Sequence, residues 1–161
     1  MKPGEVPPKL DPIDRRITSW MARHGITLTR LALGIVFLWF GALKLIPGWS
    51  PAEELATRTM ERLTFSLIAP STALLLLAGW EVLIGLGLLT GRFLRVTLLL
   101  LWIQMLGTLT PLVLFPGETF RVVPVAPTLE GQYIIKNLVL IAAALVVGAT
   151  VRGGQLRADD A

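Results

Sequence analysis

A carboxylate in the middle of a membrane-length apolar run is the feature that most constrains this chain. Ser71 to Leu89 reads STALLLLAGWEVLIGLGLL, with Glu81 near its midpoint. At about 1.5 Å per residue, a helix over this run spans about 28 Å, close to the hydrocarbon thickness of a bilayer. An ionised side chain at that depth costs on the order of 2.5 kcal/mol or more, so it must be paired, protonated or turned toward a wet cavity. The other apolar runs hold two cations, Lys44 and Lys136, and two amides, Gln104 and Asn137. A small membrane bundle folded around these polar groups is the arrangement they imply.

Composition agrees. The 161 residues suffice for one domain, 53% of them are hydrophobic, and 16% are charged, against about a quarter charged in a soluble domain. The excess apolar content falls into four runs, which points to a polytopic membrane protein. A net charge of +4 and a pI of 10.1 suit nucleic acid in principle. The arginines are spread between apolar runs, however, and are better explained as topology signals beside anionic lipid. With no cysteine, disulfides, thiol redox chemistry and thiolate metal sites are excluded. The first 25 residues lack the continuous apolar core of a cleavable signal peptide.

Taken in order, residues 1–10 form a Pro-rich tail for which disorder is expected, since Pro3, Pro7 and Pro8 prevent a regular helix. Residues 11–25 predict an amphipathic interfacial helix. Asp11 is its cap, Pro12 lies in its first turn, Ile13, Ile17, Trp20 and Met21 share a face, and Gly25 is its stop. A solvated or protein-docked helix is the alternative. The first span is expected over 26–46, with Gly34, Gly41 and Lys44 on one stripe. Ser50-Pro51-Ala52-Glu53 is a capping box that opens a short surface helix in the first outer loop, to about Leu67. The further spans are placed at 71–89, 96–115 and 133–151. Gln104, Thr108 and Pro111 share a side of the third, where Pro111 should kink the helix and free a carbonyl. A Pro- and Val-rich loop with room for a short extended segment precedes the fourth span, and 152–161 is a polar tail. The fold class is all-α: an integral membrane four-helix bundle, residues 26–151, with two surface helices.

Ten lysines and arginines fall on the side of the termini and the 90–95 turn, against Arg58, Arg62 and Arg121 on the other side. That bias places both termini in the cytoplasm of a multi-pass protein of the cytoplasmic (inner) membrane. Lys44, Lys136 and Asn137 then lie in the outer half of the bundle, with Glu81 and Gln104 near the middle. Convergence of Lys44, Glu81, Gln104, Lys136 and Asn137 is the expected site, with Glu81 compensated by one of the two lysines. The competing readings are snorkelling lysines and amides that only join helices. Trp20 and Trp49 fit interfacial belts, while Trp39, Trp80 and Trp102 fit packing. No phosphate loop, nucleophile–base arrangement or metal spacing is found, so no catalytic or metal-binding residue is named and no cofactor is evident. His24 lies outside the spans, which leaves no pair for intramembrane haem.

Three stretches carry a resemblance. LGIVFLWFGALKLIPGWSP resembles the opening helix of the DoxX-like membrane proteins, GWEVLIGLGLLTGR their second helix, and QYIIKNLVLIAAALV their last. Together they cover most of residues 30 to 150, and Lys44, Glu81, Lys136 and Asn137 are the residues that match the motifs. The resemblance implies a four-helix membrane bundle. It also implies a link to membrane oxidoreductases, since one family member is a subunit of a thiosulfate:quinone oxidoreductase. The chain is accordingly expected to be an accessory or anchor subunit, with a quinone- or lipid-like ligand near the polar cluster and a peripheral or membrane oxidoreductase subunit or a further copy of itself as partner. The alternative is a scaffold, chaperone or lipid-binding protein in which the cluster is structural. A small transporter ranks third, because four spans enclose little pathway.

Overall fold

The computed structural model describes residues 11–50 and 53–157. The expected tail at 1–10, the last four residues of the polar tail, and Pro51 and Ala52 of the capping box lie outside the described residues. Four helices are long and apolar enough to cross a membrane. They are α1 (Asp11–Leu43), α3 (Pro70–Thr90), α4 (Leu94–Leu109), which α5 (Pro111–Leu114) continues, and α7 (Leu129–Ala149). The remaining elements are α2 (Glu53–Leu63), α6 (Pro116–Thr119), and a two-stranded antiparallel ribbon of β1 (Phe120–Val122) and β2 (Ala126–Pro127). The architecture is the expected all-α membrane bundle.

The first helix departs from expectation. Gly25 does not end it, and α1 runs unbroken for 33 residues, about 50 Å and longer than the hydrocarbon core. Glycine inside a helix costs only about 1 kcal/mol relative to alanine, and a stop needs the following chain to leave helical geometry. Ile26, Thr27 and Leu28 continue it, and the Thr29 hydroxyl donates to the Gly25 carbonyl at 2.8 Å. The amphipathic segment 11–25 is therefore the first half of α1 rather than a separate helix. Its Ile13, Ile17 and Trp20 are exposed.

Boundaries elsewhere shift for identifiable reasons. α1 stops at Leu43, so Lys44 sits in the following turn, its N–H bonded to the Gly41 carbonyl at 3.2 Å. α2 ends at Leu63, short of Leu67, because Phe65 and Ser66 take left-handed backbone angles, φ +53° and +59°. α7 starts four residues before the expected Tyr133. Thr128 is its N-cap, and the Thr128 hydroxyl accepts from the Gly131 N–H at 3.2 Å. At Pro111, where a kink is expected, the regular helix is interrupted, but the carbonyl it frees finds another partner. The Gly107 carbonyl that Pro111 cannot serve takes the Thr110 N–H at 3.2 Å and its hydroxyl at 2.6 Å.

The core lies between all four long helices: Leu33 and Phe37 from α1, Ile84 and Leu88 from α3, Leu98, Leu101 and Met105 from α4, Ala144 and Val147 from α7. The most extensive seam joins α1 to α3 and depends on glycine. A Cβ at Gly85 would lie 2.5 Å from the Leu38 backbone nitrogen, and one at Gly41 would lie 2.8 Å from the Glu81 Cβ. Small residues let membrane helices approach in this way. At the far end of α3, Gly91 adopts φ +68° and closes the helix onto the Gly87 carbonyl, while the Arg30 guanidinium donates to the Leu88 and Leu89 carbonyls. A cation there also meets the negative end of the helix dipole. The outward faces are apolar, with Leu83 63%, Leu106 70% and Val139 69% exposed. Such faces imply a lipid bilayer environment.

Candidate functional site

Glu81 sits midway along α3, buried to 7% exposure. Gly41 lets α1 run against it, and the turn after Leu43 directs the next side chain back along the seam. The Lys44 ammonium donates to one Glu81 carboxylate oxygen at 2.6 Å. From α4, the Gln104 side-chain amide donates to the other at 2.9 Å. Both oxygens are thus engaged, and one carboxylate ties α1, α3 and α4 together. The Lys44 and Glu81 side chains are 11% and 9% exposed, so this is a buried ion pair rather than an interfacial one. The ammonium has three donors. Beyond Glu81 its other contact is a long one, 3.4 Å to the Phe40 carbonyl.

The structure does not bring all five expected residues together. Lys136 is exposed and lies over the Tyr133 ring at 5.5 Å. Asn137 is half-buried, and it is not among the groups that hydrogen-bond Glu81. The reason is the register of α7. In the first turns of α7 the buried residues are Gly131 and Ile134, and Lys136 lies about 200° around the helix from Ile134. The choice of partner for Glu81 is settled in favour of Lys44.

Several polar contacts had no short-range sequence signal. Arg58 on α2 forms a two-pronged bond to Glu118 on α6, at 2.9 and 2.7 Å, with its guanidinium 4.8 Å from the Phe115 ring centre. Those partners are 60 residues apart, and only the packed loops bring them together. Among the tryptophans, Trp80 donates to the Leu100 carbonyl at 3.1 Å, as a packing role requires. Trp39 instead points outward at 64% exposure. Two open grooves lie away from Glu81. One, of about 470 Å³, is beside Arg58, Arg62 and Phe115, and the other, of about 310 Å³, lies between α4 and α7. No group of three or more His, Cys, Asp or Glu side chains comes together among the described residues.

The family model described as DoxX matches residues 25–115, more than half of the chain. The matched segment holds Lys44, Glu81 and Gln104. It stops before α7, so the likeness of the last helix, with Lys136 and Asn137, falls outside it. No curated protein and no solved structure matches the chain.

Proposed function

The chain belongs to the DoxX family of membrane proteins, often associated with oxidoreductases, and from that premise we propose that it is an accessory or anchor subunit of a membrane oxidoreductase. It sits in the cytoplasmic membrane with both termini inside, the side favoured by its lysines and arginines. The observation that carries the reading is the Lys44–Glu81–Gln104 cluster, which lies inside the segment matched by the family. It fixes three helices into one body and leaves a partly engaged ammonium at its edge. The donor set fits a carbonyl ligand, because Lys44 has a donor beyond those directed at Glu81 and Phe40. A quinone headgroup, or a lipid ester, would accept that donor. A quinone held there supplies an acceptor for electrons that the partner delivers. The chain's own part is to orient the ring and to hold Glu81 beside its lysine.

A second reading is favoured by the completeness of the pairing. Both Glu81 oxygens already have partners, so the cluster suits a purely structural role in a scaffold, chaperone or lipid-binding protein. Purification with native lipid separates the two. The subunit reading requires a stoichiometric redox-active partner together with quinone in the extract. A stable bundle that repeatedly purifies with neither would reject it. The variant Glu81→Gln/Lys44→Met adds a second test. If the cluster holds quinone, this variant folds and keeps its partner but loses the quinone; if the cluster is structural, quinone retention follows stability alone.

A further inference from the structure

The groove between α4 and α7 has a basic mouth and an apolar floor. Arg95, in the first turn of α4, and Arg152, just past the end of α7, both line it, followed by Leu98, Trp102 and Gly148. Among the described residues no carboxylate lines it. Both arginines are exposed, and neither forms an ion pair among the described residues. Arg30 at the same end of the bundle differs, being committed to the end of α3. Deeper in, the Trp102 indole N–H is buried and has no hydrogen-bond partner among the described residues. It lies about 10 Å along α4 from Arg95. The positive end of α4 and the negative end of α7 meet at this mouth and offset each other, so its positive potential rests on the two arginines.

We propose that this groove binds one anionic phospholipid from the leaflet at this end of the bundle. Arg95 and Arg152 take its phosphate, an acyl chain lies along Leu98 and Gly148, and the Trp102 N–H is a donor for an ester carbonyl. Three observations favour this occupant together. The cations come from two helices and meet around one opening. The floor is apolar at the depth where a lipid is apolar. The donor left without a partner among the described residues, the Trp102 N–H, lies below the arginines, on the side where a phospholipid carries its ester carbonyls. Basic pockets between membrane helices are recognised as headgroup sites on the same chemistry.

Native mass spectrometry of the full chain in detergent tests the proposal, with phosphatidylglycerol and phosphatidylcholine of matched acyl chains as probes. One phosphatidylglycerol per chain should bind in preference to phosphatidylcholine. Arg95→Gln or Arg152→Gln should each weaken it about fivefold, and the double variant about thirtyfold. Arg92→Gln/Arg157→Gln removes the same charge outside the groove and should leave binding unchanged. Gly148→Leu should also weaken it by filling the floor. A Cβ at Gly148 meets Leu98 only at 3.5 Å and Trp102 at 3.7 Å, so the backbone tolerates a side chain there. Equal binding of the two lipids by the parent protein would overturn the proposal, even if the arginine variants failed to fold. So would an equal loss in the control variant, undiminished binding by a folded Gly148→Leu protein, or competition by deacylated glycerophosphoglycerol as strong as that of the intact lipid.

Discussion

Truncating Glu81 to alanine tests the buried cluster most directly. The substitution removes the acceptor of two hydrogen bonds, 2.6 Å from Lys44 and 2.9 Å from Gln104. It leaves an ammonium whose side chain is 11% exposed. Orphaning one member of a buried pair costs about 3–5 kcal/mol. Lys44 sits just past the end of α1 and can turn outward, so the lower end, about 3 kcal/mol, is expected. Glu81→Gln keeps an acceptor for Lys44, and Gln104 can rotate its amide to remain bonded, so about 1–2 kcal/mol is expected there. An interhelical hydrogen bond in a membrane protein averages only about 0.6 kcal/mol. A loss near that value would mark the cluster as ordinary helix glue, whereas a loss near 3 marks a charge that needs its partner. The assay is reversible unfolding in mixed micelles, followed by helix content, on a cycle of Glu81→Ala, Lys44→Met and the double variant. Because the double variant removes the orphaned charge, it should be more stable than the sum of the singles by at least about 1 kcal/mol. Additive singles, or a Glu81→Ala protein within about 1 kcal/mol of the parent, would refute the ion-pair argument.

Three further outcomes follow from the same geometry. Reporter fusions after Gly48 and after Gly117 should be extracytoplasmic and one after Gly91 cytoplasmic, and the reversed pattern would reject the orientation inferred from the basic residues. Gly85→Val should lose at least about 1–3 kcal/mol by forcing α3 away from the Leu38 backbone, whereas Gly79→Val, with open space around its Cβ position, should lose much less in the same unfolding assay. Lys136→Met should leave stability within about 0.5 kcal/mol of the parent, because Lys136 is exposed and outside the Glu81 cluster; a loss as large as that of Lys44→Met would show that α7 shares the pair.

The spans were legible because each is set by a property summed over about twenty residues. Single-residue errors hardly move such a sum, and a bilayer demands continuous helix. Their ends were less legible, because each end rests on one local contest. At Gly25 the helical neighbours won over the stop signal. At Thr128 a side-chain cap fixed an earlier start that hydropathy does not register. Phe65 and Ser66 end α2 in a backbone conformation that their identities do not announce. The partner of Arg58 was illegible for another reason, since the loops that present Arg58 and Glu118 meet only in the folded chain.

The site shows the same division. Glu81, Lys44 and Gln104 each stand out in sequence because a polar group in a membrane run must be accounted for. Depth, which counting residues gives, put both lysines within plausible reach of the carboxylate. What separates them is azimuth. Along α1 and the turn that follows it the stripe Gly34–Gly41–Lys44 is self-consistent, for the glycines that admit α3 to close contact are on the side from which Lys44 reaches Glu81. In the first turns of α7 the buried residues are Gly131 and Ile134, and Lys136 lies about 140° and 200° further around the helix from them. The small residues at 34 and 41 therefore carried the information about the pairing. A lysine on the same stripe as residues that permit backbone contact is directed at the neighbouring helix. A lysine out of phase with the buried residues of its own turn is directed away from the bundle, as Lys136 is.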